Sequence, residues 1–252
     1  FQPIEVLKPF LIIILATILC DIKSNILFKY LISIFLISFI SLLLIAQPDI
    51  GQTLLVIFCW AVLIFTSGIN IYILFAIFIA GASLLTYLII YVPRFDYIQG
   101  RIFSFFNRET GTHNFQSDKA IESITSGGFF GKGIGEGVLK NRVPEAHTDY
   151  IISVISEEFG VVAIMLILLL FLILIYMVFK KISFETNDKV KLILIGSISL
   201  ILMQATIHIG VNIRLFPTTG MTLPFLSYGG SSIISTSILA GIILNLTKRK
   251  IT

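Results

Sequence analysis

The chain has 252 residues, 56% of them hydrophobic and 13% charged, with a formal net charge of +4 and a mean hydropathy of +1.00. These values exclude an ordinary water-soluble domain and place the chain among all-α, polytopic membrane proteins, as a single membrane domain over 1–252. The basic balance does not point to nucleic acid. Lys180, Lys181, Lys189 and Lys191 crowd one short loop and Lys248, Arg249 and Lys250 follow the last apolar run, while the long segment 93–148 carries its own cations (Arg94, Arg101, Arg108, Lys119, Lys132, Lys140, Arg142).

Apolar runs that approach the roughly 20 residues of a transmembrane helix occur seven times, at about 4–20, 28–46, 50–66, 70–92, 149–179, 190–212 and 230–247. An odd number puts the two ends on opposite sides. Short cationic loops stay cytoplasmic, so 21–29, 180–191 and the C-terminus are assigned inside. Gln47-Pro48-Asp49, the long segment 93–148 and the 213–229 loop are then extracytoplasmic, and function is expected on that face. The chain opens on Phe1 rather than Met, which leads to the expectation that further helices precede it. Cys20 and Cys59 fall in or at the edge of spans and read as small buried hydrophobes rather than a disulfide.

Segment 93–148 is longer than ordinary connections, and such loops are functional or disordered. Arg101-Ile102-Phe103-Ser104-Phe105-Phe106 suits an amphipathic surface helix and an interfacial aromatic belt equally well. The stretch from Ser126 to Gly137 is dense in glycine, and its N–H groups are candidates to cradle an anion; a flexible linker is the bland alternative. It is not a P-loop, because Ser126 and Gly133 stand where Gly and Ser or Thr are needed. Nor does it sit in the strand–turn–helix unit of a dinucleotide site.

Pro144-Glu145-Ala146-His147-Thr148-Asp149 places two carboxylates and an imidazole at the mouth of a span, where ionisable groups suggest a substrate or ion path. A helix beginning near Pro144 would put Glu145 and Asp149 at i and i+4 in its first turn; simple capping explains Glu145 about as well. Glu157 and Glu158 are read as two turns into the span, with no role assigned. In the last outer loop, from Asn212 to Ser232, two prolines and three glycines argue against a continuous helix. Broken backbone at membrane depth survives only inside protein or along a wet cavity; a plain turn competes with a re-entrant element facing Asp149.

Five separated motifs together resemble one family: Gln47-Pro48-Asp49-Ile50-Gly51, Gln116-Ser117, Ser126-Gly127-Gly128 with Gly131-Lys132-Gly133, Pro144 to Asp149, and Pro224 to Ser232. They are similar, in order, to the SEDS proteins (shape, elongation, division and sporulation), which include FtsW, RodA and SpoVE. Glu145-Ala146-His147 and Gly135-Glu136-Gly137 look more like the division branch than the elongation branch. The family has about ten spans, so the resemblance implies about three more upstream. Thr219 stands where some division-type members carry Lys, Thr112-His113 replaces an aromatic-Gln pair, and His208 and Arg214 depart from the pattern.

The resemblance implies a peptidoglycan glycosyltransferase of the bacterial inner membrane that polymerises lipid II during cell division. Asp149 would be the catalytic base. Glu145, His147, Gln116, Ser117, Lys132, Arg142 and the Ser227-Tyr228-Gly229 turn would bind substrate. A divalent cation (Mg²⁺ or Mn²⁺) on Asp149 or Glu145 is an implied cofactor. A class B penicillin-binding protein (a transpeptidase) and other divisome membrane proteins are the implied partners. A lipid-linked precursor flippase and a non-catalytic divisome scaffold are the alternative functions.

Overall fold

A computed structural model describes residues 2–21, 25–106 and 112–248. Among these, nine α-helices follow in order: α1 (Pro3–Cys20), α2 (Ile26–Ala46), α3 (Ile50–Thr66), α4 (Ile71–Tyr91), α5 (Asp96–Phe106), α6 (Thr112–Gly127), α7 (Ile151–Phe184), α8 (Asp188–Asn212) and α9 (Gly230–Thr247). Six are long and apolar enough to cross a membrane: α1, α2, α4, α7, α8 and α9. The seventh expected span is α3, apolar but only 17 residues long. At 1.5 Å per residue it reaches about 26 Å, just short of a hydrocarbon core of about 30 Å. The chain is a multi-pass helical membrane protein.

Local chemistry sets the helix ends. Pro3 occupies the first turn of α1, where a missing N–H costs nothing. Asp49 caps α3 by accepting from the Gln52 N–H at 3.1 Å. Asn187 does the same for α8, accepting from Lys189 N at 3.0 Å. The segment between α8 and α9 forms turns and extended backbone with no helix, as its prolines and glycines predict.

Packing divides the chain into two compact units. Unit one comprises Phe1–Gly68, Leu166–Thr206 and Met221–Thr252; unit two comprises Ile69–Met165 and Ile207–Gly220. The core of unit one gathers Ile12, Cys59, Val178, Leu194, Ile198, Ile201 and Leu239. Cys59 is therefore a buried free thiol and Cys20 a free, half-buried one. Cys59 matches the expectation of a small buried hydrophobe.

Unit one also buries a charged network that the sequence reading passed over. Lys8 is fully buried and lies 2.9 Å from Glu5. Its Nζ donates to Gln52 Oε1 at 3.1 Å and Gln204 Oε1 at 3.2 Å. Gln52 Nε2 donates to Glu5 Oε1 at 2.5 Å, and Gln204 Nε2 donates to the Thr222 carbonyl at 3.0 Å. The pair therefore ties α1, α3 and α8 to the start of the 221–229 stretch. Removing one partner of such a pair leaves an uncompensated buried charge, at a cost of about 3–5 kcal/mol.

Accordingly, Lys8→Met lowers thermal stability in detergent by about 3–5 kcal/mol, and the double change Glu5→Leu with Lys8→Met recovers most of that loss. A single-variant loss under about 1 kcal/mol, the size of an exposed pair, would contradict a sealed network.

Candidate active site

Unit two holds α4, α5, α6, the 128–150 segment, the start of α7 and the 207–220 stretch. Its organising feature is a break in α7. Gly160 adopts φ 75 and ψ −175, which divides a short first segment from the long apolar helix that begins at Val161. Glu157 and Glu158 lie before this break. They lie two turns past Ile151, as the sequence suggested, but in a short helical segment that ends before the long apolar helix starts.

α6 crosses this short helix at small residues. A Cβ on Gly127 would overlap the Ser156 carbonyl, and Ser156 Oγ donates to the Ile124 carbonyl at 3.3 Å. The glycine-dense loop then wraps the break. Lys132 N donates to the Glu157 carbonyl at 2.9 Å, Gly133 N to that of Glu158 at 3.0 Å, and Val161 N to that of Gly128 at 3.0 Å. Gly131, with φ 77, and Gly160 sit so close to opposing backbone that no side chain fits.

Within the glycine-dense stretch one N–H, that of Gly135, meets a carboxylate, Glu158 Oε1 at 3.2 Å; the fuller cradle is formed just past it and holds an anion of the chain itself. The fully buried Glu157 carboxylate accepts from the N–H of Val138 at 3.0 Å, Leu139 at 3.0 Å and Lys140 at 2.7 Å. Ser123 Oγ donates to it at 3.1 Å and Lys132 Nζ at 3.2 Å. Lys140 pairs with Glu158 in turn. A carboxylate with this many donors has its hydrogen-bonding capacity met by the protein itself. The segment is accordingly a latched structure rather than a linker.

The latch leads straight into the acidic motif. Residues 144–150 form consecutive turns, and α7 begins at Ile151, so the helix start expected near Pro144 is corrected by seven residues. Glu145 takes φ 54, and its carbonyl accepts from the N–H groups of Thr148 at 3.2 Å, Asp149 at 3.1 Å and Tyr150 at 3.3 Å. The left-handed residue converts a would-be first helical turn into a tight loop. Glu145 and His147 are exposed, whereas Asp149 is half-buried.

Burial first, and the nearby Glu145 charge second, raise the Asp149 carboxyl to about 6 against the opposing effect of a Thr148 side-chain hydrogen bond. Asn212 Nδ2, at the end of α8, donates to the Asp149 carbonyl at 3.0 Å. A Cβ built on Gly220 would stand 3.5 Å from Asp149 Oδ2, and Gly220 has φ +67. Asp149 is therefore fixed from two elements, with a glycine left bare beside its carboxylate.

The remaining expected residues fall in two places. In unit two, Gln116 is half-buried and Ser117 buried on α6, Lys132 is exposed while paired with Glu157, and Arg142 is exposed. In unit one, Ser227 is buried and its Oγ accepts from Leu223 N at 2.7 Å. Tyr228 is exposed, and Gly229 caps α9. Arg214, with φ 59, pairs with Asp118 of α6, so its guanidinium holds the 213–220 loop to that helix. Sequence reading missed Asn212, Gly220 and Asp118. Only the clustering of polar residues after an apolar run pointed to the first two, and nothing local paired Asp118 with Arg214.

Six long apolar helices and a latched loop ahead of α7 define the class, a polytopic helical membrane protein. The family model described as "Cell cycle protein", FTSW_RODA_SPOVE, matches residues 1–251, and the chain belongs to that family. A Caulobacter vibrioides relative, named a probable peptidoglycan glycosyltransferase FtsW, is 35% identical over 256 residues, covering 99% of this chain and 63% of the relative. One from Enterococcus hirae with the same name is 32% identical over 264 residues, covering 100% of this chain and 66% of that relative. The chain thus spans just under two thirds of these relatives.

Two solved structures are also similar. One, described as showing structural coordination of polymerization and crosslinking by a peptidoglycan synthase complex, superposes with a TM-score of 0.79 at 27% identity, covering 98% of this chain and 70% of that one. The Thermus thermophilus rod shape determining protein RodA superposes with a TM-score of 0.64 at 29% identity, covering 98% and 64% respectively.

The latch generates a direct expectation. Glu157→Ala deprives three backbone N–H groups of their acceptor. Hydrogen exchange at Val138, Leu139 and Lys140 then speeds by at least about ten-fold. Unchanged exchange at those amides would show that the loop is held by other means.

Proposed function

We propose that the chain is the catalytic membrane region of a peptidoglycan glycosyltransferase that polymerises lipid II during cell division. The observation that carries this reading is the Asp149 carboxyl, held in a rigid turn with its pKa raised to about 6. A sugar hydroxyl is a weak nucleophile and needs a positioned base whose pKa lies near working pH. Asp149 takes the proton of the acceptor 4-hydroxyl as that oxygen bonds to the donor's anomeric carbon. The bond from that carbon to the phosphate oxygen breaks, and polyprenyl pyrophosphate leaves with the electron pair. The names of the Caulobacter and Enterococcus relatives support the same chemistry.

Lys132 and Arg142 are the cations offered to the departing pyrophosphate, while the exposed Glu145 and His147 and the half-buried Gln116 of the same unit are the groups offered to the sugars. Among the described residues no group of three or more His, Cys, Asp or Glu could hold a metal ion. Asp149 and Glu145, close enough for one charge to raise the other's pKa, fit the alternative in which two carboxylates and substrate phosphates share a Mg²⁺. Such an ion would supply charge neutralisation at the leaving group. Positive loops at Lys180, Lys181, Lys189 and Lys191 support a cytoplasmic side opposite Asp149, in the bacterial inner membrane with the site periplasmic and the C-terminus inside. A class B penicillin-binding protein is the proposed partner, in keeping with the polymerization and crosslinking complex that the fold resembles.

In a detergent assay of the full-length protein, Asp149→Asn lowers lipid II polymerisation by about 10²-fold or more. Near-normal glycan yield would remove Asp149 from the mechanism. Wild-type activity falls as pH drops through about 6, because the raised pKa protonates the base there. A profile flat down to pH 4 would contradict that role.

A further inference from the structure

Unit one contains a cavity of about 740 Å³ with charged side chains in its lining that the proposed reaction does not use. It lies where four helix ends meet: the last turn of α1 at Thr17 and Cys20, the first turn of α2 at Lys29, the end of α3 at Thr66 and Ser67, and the start of α8 at Asp188 to Ile195. Among the described residues, Lys29, Lys189 and Lys191 line it together with Asp21 and Asp188. Asp188 pairs with Lys191 at 3.3 Å. Cys20, half-buried, lines the same cavity as Lys29 and Lys189. Apolar spans α1, α2 and α8 rise directly from this level.

We propose that this cavity binds the headgroup of an anionic phospholipid. A phosphodiester carries one negative charge, and its oxygens accept from lysine Nζ groups. The acyl chains run along the apolar helices that begin at the same depth. Basic pockets between spans attract anionic headgroups, and each lysine near such a surface contributes enough to change affinity about five-fold. An aqueous phosphate shares the headgroup chemistry but lacks the tails. The proposal concerns a different unit from Asp149 and does not rest on the polymerase reading.

Cys20 serves as the reporter. The full-length protein is placed in nanodiscs, which expose both faces, and maleimide modification is read at the Cys20 peptide by mass spectrometry. Discs of phosphatidylcholine are compared with discs carrying phosphatidylglycerol. Phosphatidylglycerol is expected to slow Cys20 modification several-fold, and Lys29→Gln with Lys189→Gln to abolish that protection, each variant being compared with itself in the two lipids. Equal rates in the two discs would overturn the proposal. Protection by inorganic phosphate in phosphatidylcholine discs, equal to that by phosphatidylglycerol, would overturn the lipid assignment in favour of a soluble anion. Protection that survives in the double variant would overturn the lysine site.

Discussion

The arrangement of unit two depends on the buried carboxylate of Glu157. An acidic side chain in a dry interior is costly unless charge and hydrogen bonds answer it. Here three consecutive N–H groups, a serine and a lysine do so. The carboxylate thereby closes the glycine-dense loop over the break at Gly160 and fixes the strand of chain that runs into Val143 and Pro144. From there the left-handed Glu145 turns the backbone so that Asp149 emerges half-buried before α7. The pKa of Asp149 follows from that placement. Water is partly excluded, a second carboxylate stands near, and Gly220 leaves room beside Oδ2.

Unit one solves a parallel problem with a different device. Lys8 and Glu5 face the interior of an otherwise apolar helix, and two glutamines from α3 and α8 complete their hydrogen bonds. Lipid cannot satisfy such groups, so the helices that supply the partners must stay in register. Gln204 extends the network to Thr222 and Ser232, which positions the non-helical stretch before α9. In both units polar side chains inside the protein hold irregular backbone that the bilayer alone would not tolerate.

Much of this was legible in sequence. The spans at 4–20, 28–46, 50–66, 70–92, 190–212 and 230–247 match helices to within a few residues, because long apolar runs between caps and glycines carry a strong signal. The family was legible from five spaced motifs, and the model match over 1–251 agrees. The start of α7 was not legible: Pro144 followed by acids reads as a helical first turn, and only the positive φ of Glu145 shows otherwise. The partner of the glycine loop was equally hidden. Glu157 is separated from Val138 by 19 residues, and a donor-rich loop looks the same whether its anion is a ligand or the protein's own. Lys8 was readable as a charge within a span, yet its partners lie 44 and 196 residues away.

The central claim is that Asp149 is a carboxyl poised to change charge near neutral pH. Selective ¹³C labelling of aspartate in the full-length protein, with Asp149→Asn to assign the resonance, follows that titration directly. The account predicts a carboxyl that becomes charged with a midpoint near 6. A midpoint close to 4, that of an ordinary solvated aspartate, would contradict it.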